Sequence, residues 1–179
     1  MDKLKNIAQQ LDGQKYPPVH LWHPKEIGEI DIRIDSSGNW FHEGQPIKRD
    51  KLVCLFATIL WFENGQHFLV TPVEKLAIDV QDVPYIIHQA ECVDGMWLLT
   101  TNTHEQLLVD QNHPVELRQY HGQWVPYVRV RYELWARLNR SIYYEWASLA
   151  VDGQNKADDR LVLKSGEYEF EVARQANDV

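Results

Sequence analysis

In P-Y-V-R-V-R (126–131), strand alternation would put Tyr127, Arg129 and Arg131 on one face and Val128 and Val130 on the other. Two guanidinium forks beside a phenol ring suit a planar anion, gripped by bidentate hydrogen bonds and stacking. The same pattern also makes an ordinary solvated face, with arginine stems laid over aromatics. A second polar group collects in T-P-V-E-K (71–75), where Pro72 breaks the strand ladder and leaves Glu74 and Lys75 at a kink, placed to face a cleft. A third is W-F-H-E-G-Q-P-I-K-R-D (40–50), which gathers Trp40, His42, Glu43, Arg49 and Asp50 ahead of an apolar run. His42 and Glu43 invite acid–base chemistry, but adjacent strand residues leave opposite faces and cannot serve one substrate atom. Trp40 and His42 do share a face.

Other chemistries lack their signatures. Eight histidines, at 20, 23, 42, 67, 88, 104, 113 and 121, form no H-E-x-x-H and no Cys/His pairing. Only His20-x-x-His23 is close-set, in a proline-punctuated connector without helical register. No G-x-S-x-G elbow is present, neither cysteine has a histidine at a recognisable spacing, and both phosphate-loop glycine patterns are missing. This weighs against an enzyme; no catalytic residue, metal ligand or cofactor is expected.

The elements that must position these residues follow from periodicity. Leu4, Ile7, Ala8 and Leu11 recur at helical spacing and predict a short amphipathic helix ended near Gly13. E-I-D-I-R-I-D (29–35) alternates as a half-buried strand, Ser36-Ser37-Gly38 turns, and N-W-F-H-E (39–43) returns. Asp50 is expected to cap a buried helix through about Phe62, stopped by Asn64-Gly65. Strands follow at 67–72 and 75–80. Further strands are expected at 85–93, 96–101, 106–110, 115–120 and 124–131, with 132–138 either strand or helix. Ser141 is expected to cap a helix over 142–151, and a hairpin over 160–172 turns at Ser165-Gly166.

Gly38-Asn39-Trp40-Phe41 echoes Gly122-Gln123-Trp124-Val125. Arg49-Asp50 echoes Arg140-Ser141, and Gly65-Gln66 echoes Gly153-Gln154. Offsets of 84, 91 and 88 residues between these pairs differ by loop-sized insertions, which surface loops tolerate. They predict a degenerate duplication.

The 179 residues are enough for one ordinary domain or two small ones, and a net charge of −8 disfavours binding along long nucleic acid. Two isolated cysteines suit a reducing cytoplasm. The apolar run 52–62 is far short of the roughly 20 residues that cross a bilayer, and the start lacks a signal-peptide core, so a cytoplasmic protein off the membrane is expected.

Taken in order, I-D-I-R-I-D, G-N-W-F-H-E-G-Q-P-I-K-R, L-V-C-L-F, F-L-V-T-P-V-E-K, Thr101-Asn102 and P-Y-V-R-V-R resemble the bacterial family known as domain of unknown function 1285, from about Trp22 to about Leu149. The chain departs from that family at Ser37-Gly38, commonly Asp-Gly, and at Tyr132-Glu133, commonly small residues. The resemblance implies a duplicated α+β architecture: an N-terminal helix and connector (1–22), a first α+β domain (23–82) and a second, pleckstrin-homology-like domain (83–179), each with strands and one main helix. It also implies a ligand site at the interface of the domains for a nucleotide-like signal. The matching polar positions are Arg49, Thr71, Glu74, Lys75, Asn102, Arg131 and Arg140, with Trp40 and His42. The expected function is thus a non-catalytic module for a small anionic ligand, with Tyr127 or Trp40 stacking. The rivals are a hydrolase or transferase on a nucleotide or phosphoester, with His42 or Glu74 as base, and a protein-interaction adaptor with an exposed aromatic surface.

Overall fold

The computed structural model describes residues 2–13, 16–153, 156–157 and 160–174. Helix α1 (Asp2–Asp12) and a short 3-10 turn (Val19–Leu21) precede the first strand, β1 (Glu26–Ile34). Alternation holds in β1: Ile32 and Ile34 are buried and Asp31 is exposed. Three strands form a meander, β1, β2 (Trp40–His42) and β3 (Gln45–Pro46). Helix α2 (Asp50–Thr58) follows, then a second meander of β4 (Leu60–Glu63), β5 (Gln66–Val70) and β6 (Glu74–Val80). The two meanders join in one sheet of order β3-β2-β1-β6-β5-β4, with β1 and β6 parallel at its centre.

The second domain repeats this plan. Strands β7 (Tyr85–Val93), β8 (Met96–Thr101) and β9 (Gln106–Leu108) make one meander, and β10 (Val115–Tyr120), β11 (Gln123–Arg131) and β12 (Leu134–Leu138) make the other. Their sheet runs β10-β11-β12-β7-β8-β9, again with a parallel central pair, β12 and β7. It curls into a half-barrel. Helix α3 (Arg140–Asp152) packs against β7 and against the hairpin of β14 (Arg160–Ser165) and β15 (Tyr168–Arg174), beside the short β13 (Lys156–Ala157). Trp146 of α3 is fully buried, its ring 5.3 Å from Trp97 and 5.1 Å from Phe170. A buried tryptophan in such an aromatic cluster is a large contribution to a small core.

The duplication is present, but in a different register from the sequence echo. Strand order pairs the β1–β2 turn with the β7–β8 turn and the β4–β5 turn with the β10–β11 turn. The turn glycines then match at one constant offset of 57 residues, Gly38 with Gly95 and Gly65 with Gly122. Asn64-Gly65, Asp94-Gly95 and His121-Gly122 all place both residues at positive φ, the conformation that two-residue hairpins need to match strand twist. Trp40 and Trp124 are not equivalent: one is 3% exposed and the other 36%. Nor are the helices, since α2 lies between its two meanders and α3 follows both. Gln154, part of the third echo, lies outside the described residues.

Three local expectations are corrected. Helix α2 stops at Thr58, because Leu60–Glu63 pairs with Gln66–Leu69 as β4 and turns Asn64-Gly65 into a hairpin. Arg49, not Asp50, is its N-cap residue, with no side-chain cap bond. Helix α3 is capped by Asn139, whose Oδ1 accepts from Ile142 N at 2.9 Å, which places Ser141 inside the helix. Residues 134–138 form a strand with all five side chains buried. No helix among the described residues is long and apolar enough to cross a membrane.

Candidate functional site

The two domains share one apolar core, in which Ile34, Leu60 and Ile78 of the first meet Tyr85, Ile87 and Leu138 of the second. Polar links stitch the rim of this seam. Asn102 Oδ1 accepts from Ile86 N at 3.0 Å, and Asn102 Nδ2 donates to Gly38 O at 3.1 Å. Arg137 donates to Asp82 and, at 2.6 Å, to Ser36 O, while its guanidinium lies 3.9 Å above the Tyr120 ring. Arg131 donates to Glu105 and to Ala57 O, sandwiched by the rings of Tyr16 and Tyr85. Burial drives the Glu105 carboxyl above the usual range, against the pull of Arg131. The same burial, with the Glu105 charge, pushes the Tyr16 hydroxyl up to about 12.

Beside the Arg137 link lies a cleft of about 480 Å³, within the range of small-molecule sites. Ser37 reaches it from the first domain; Tyr120, His121, Arg137, Arg140 and Tyr143 supply most of the polar lining from the second. None of the described residues that line it is acidic. Arg140 stands at the N-terminus of α3, its guanidinium 5.3 Å from the Tyr144 ring and hydrogen-bonded to that hydroxyl. The N-terminal end of α3 and Arg140 thus border the hollow, beside an Arg137 whose charge is already paired with Asp82. Burial, with Tyr144 nearby, holds the Tyr143 hydroxyl above its ordinary value.

The residues singled out from sequence fall into different places. Arg140 lines this cleft. His42 and Arg49 meet instead in a second hollow of about 540 Å³, with Lys48 over a floor of Ile30, Ile32 and Phe56. Trp40 lies in the core against Phe56, ring centroids 6.3 Å apart. Thr71 closes its own turn, its hydroxyl accepting from Glu74 N at 3.1 Å. Glu74 begins β6 opposite Glu26, on another part of the molecule from the His42 hollow. Lys75 pairs with Glu63 and lies 4.4 Å over Phe68. Asn102 and Arg131 are spent in the seam.

Tyr127, Arg129 and Arg131 do not share a face. A register shift between Arg129 and Arg131 in the β11–β12 pairing breaks the alternation. Tyr127 is buried with its hydroxyl on Asp82 at 2.9 Å; Arg129 reaches Asn112 O at 3.5 Å and sits 4.0 Å from Glu133. Sequence reasoning missed Arg137, Tyr120, His121 and Tyr143. One signal was there for Arg137: a lone cation in the otherwise apolar L-W-A-R-L demands a partner if the segment is a buried strand.

Comparison with known proteins agrees with this architecture. The family described as "Domain of unknown function (DUF1285), N-terminal domain" matches residues 17–83, and "Protein of unknown function (DUF1285), C-terminal domain" matches residues 84–172. Among solved structures, a DUF1285 family protein from Silicibacter pomeroyi DSS-3 is 33% identical, with 90% of this chain and 89% of that one covered at a TM-score of 0.82. A DUF1285 family protein from Shewanella baltica OS155 is 26% identical, with 65% of this chain and 90% of that one covered at a TM-score of 0.55. No curated protein matches the chain.

Proposed function

The chain belongs to the DUF1285 family, and on that premise we propose that it is a non-catalytic binding module whose interdomain cleft takes a small anionic ligand with a planar, nucleotide-like ring. One observation carries the reading: in a chain of net charge −8, this cleft has no acidic lining among the described residues and gathers Arg140 and the N-terminus of α3 beside Arg137, whose own charge Asp82 pairs. Arg140 and the helix terminus hold the anion; Tyr120 and Tyr143 take the ring. Ligand contacts from Ser37 on one domain and Arg140 on the other would couple the domains, which suits a signalling role. The free thiols of Cys54 and Cys92 support a reducing, cytoplasmic setting. The enzyme reading has less support, because neither candidate base, His42 or Glu74, lines this cleft.

The test is a thermal-shift and calorimetric screen against mononucleotides, dinucleotides and other anionic metabolites. A ligand at about 100 times its Kd stabilises by about 2.7 kcal/mol. Arg140→Ala should weaken binding roughly 10- to 150-fold, the worth of one charge-assisted hydrogen bond, with the Tm of the free protein unchanged. A panel without any shift, or undiminished affinity in Arg140→Ala, overturns the proposal.

A further inference from the structure

Asp50 and Cys54 stand four residues apart on α2 and so on one face of that helix. The loop between β8 and β9 brings His104 to them from the other domain. His104 Nε2 lies 3.0 Å from Asp50 Oδ2, and Cys54 Sγ lies 3.9 Å from the same oxygen. One donor atom from each side chain falls within 4.8 Å of the other two.

We propose that Asp50, Cys54 and His104 form a three-ligand site for a zinc-like divalent transition metal, one that staples the first domain to the second. Carboxylate, thiolate and imidazole are the donor types zinc takes, and three protein ligands leave a fourth tetrahedral position for water. Metal–ligand bonds of about 2.0–2.3 Å put tetrahedral donors roughly 3.3–3.8 Å apart. The separations of 3.0 and 3.9 Å bracket that range and the third lies within 4.8 Å, so side-chain shifts of about an ångström or less close the site. An exposed His–Asp pair needs no thiol beside it, whereas a soft-leaning cation does. Charge balances too: on binding, the Cys54 thiol loses its proton to solvent, imidazole binds neutral, and carboxylate with thiolate offsets the 2+ ion.

The loop that presents His104 is held independently of any metal. Thr101 Oγ1 accepts from Thr103 N at 3.3 Å and Glu105 N at 3.1 Å, and Thr101 N donates to Glu105 O at 2.8 Å. Thr101, Thr103 and Glu105 are all buried, which fixes the base from which the exposed His104 projects. A site with one ligand on a rigid loop and two on a helix loses little freedom when it closes.

The experiment titrates tag-free, chelator-treated full-length protein with Co²⁺ and follows thiolate-to-cobalt charge transfer in the near ultraviolet, with Zn²⁺ as competitor. One equivalent should develop the band, Cys54→Ser should abolish it, and Cys92→Ser should keep it. Asp50→Asn and His104→Gly, the latter suited to the positive φ of 66° there, should each weaken binding at least about tenfold. Zn²⁺ at about 100 times its Kd should raise the wild-type Tm by roughly 5–10 °C. No charge-transfer band, a band unchanged in Cys54→Ser, or an equal Zn²⁺ shift in His104→Gly would each overturn the site. Arg140→Ala should bind cobalt as wild type does, which separates this result from the anion cleft.

Discussion

Replacing Arg131 by alanine probes the seam most directly. Its side chain is 12% exposed and that of its partner Glu105 8% exposed, so the substitution strands a buried carboxylate. It also removes the donor to Ala57 O and the cation held between Tyr16 and Tyr85. Breaking one side of a buried pair costs about 3–5 kcal/mol, and at roughly 2–4 °C per kcal/mol for a chain of this size the Tm should fall by roughly 6–20 °C. Urea unfolding at two pH values adds a sharper check. Burial raises the folded-state pKa of Glu105 above its unfolded value, so its stabilising contribution is present below the ordinary glutamate range and is lost as pH rises through the raised value. Without Arg131 that value climbs further. The deficit of Arg131→Ala should therefore be smaller near about pH 5 than near about pH 7.5. Adding Glu105→Gln should recover much of the loss, because no stranded charge remains. A deficit under about 1 kcal/mol, or one independent of pH and untouched by Glu105→Gln, would refute the assignment of Arg131 to the seam rather than to a ligand.

Gly38 has φ +82°, and a Cβ there would lie 2.6 Å from Asn102 Nδ2 and 2.9 Å from Ile86 Cγ1. Gly38→Ala should cost about 1–3 kcal/mol in chemical denaturation. Asn139→Ala should lower stability by about 1 kcal/mol through loss of the α3 cap, while Ser141→Ala stays within about 0.5 kcal/mol; a reversed order in thermal melts would return the cap to Ser141. Burial lowers the His67 pKa to about 4, so the unfolded chain binds the proton more tightly. Stability from this group should be full above about pH 6.5 and fall away toward about pH 4, and His67→Gln should flatten that part of the pH–stability curve.

Much of the architecture was written in local pattern. Alternation marked β1, strand-forming runs bounded by turn residues marked β7 and β8, Ser36-Ser37-Gly38 and Ser165-Gly166 marked turns, and helical spacing marked α1, because these signals depend only on residues within one turn or one strand. Duplication was legible as well, but matching residue types chose the wrong register, since a tryptophan carries no mark of burial: Trp40 packs in the core while Trp124 faces outward. Elsewhere tertiary pairing overrode local preference. A helical run through Phe62 gave way to β4 because β5 offered it a partner, and a register shift in β11 turned Arg131 away from Tyr127. The sites depended on tertiary structure most of all. Asp50, Cys54 and His104 carry no spacing that betrays them, nor do Ser37 and Arg140, since chain distance does not report spatial distance across a domain seam. Sequence alone determined most of the strands and the family resemblance; only tertiary packing decided β4, the register of the repeat, and which polar side chains are consumed in holding the seam and which line the clefts.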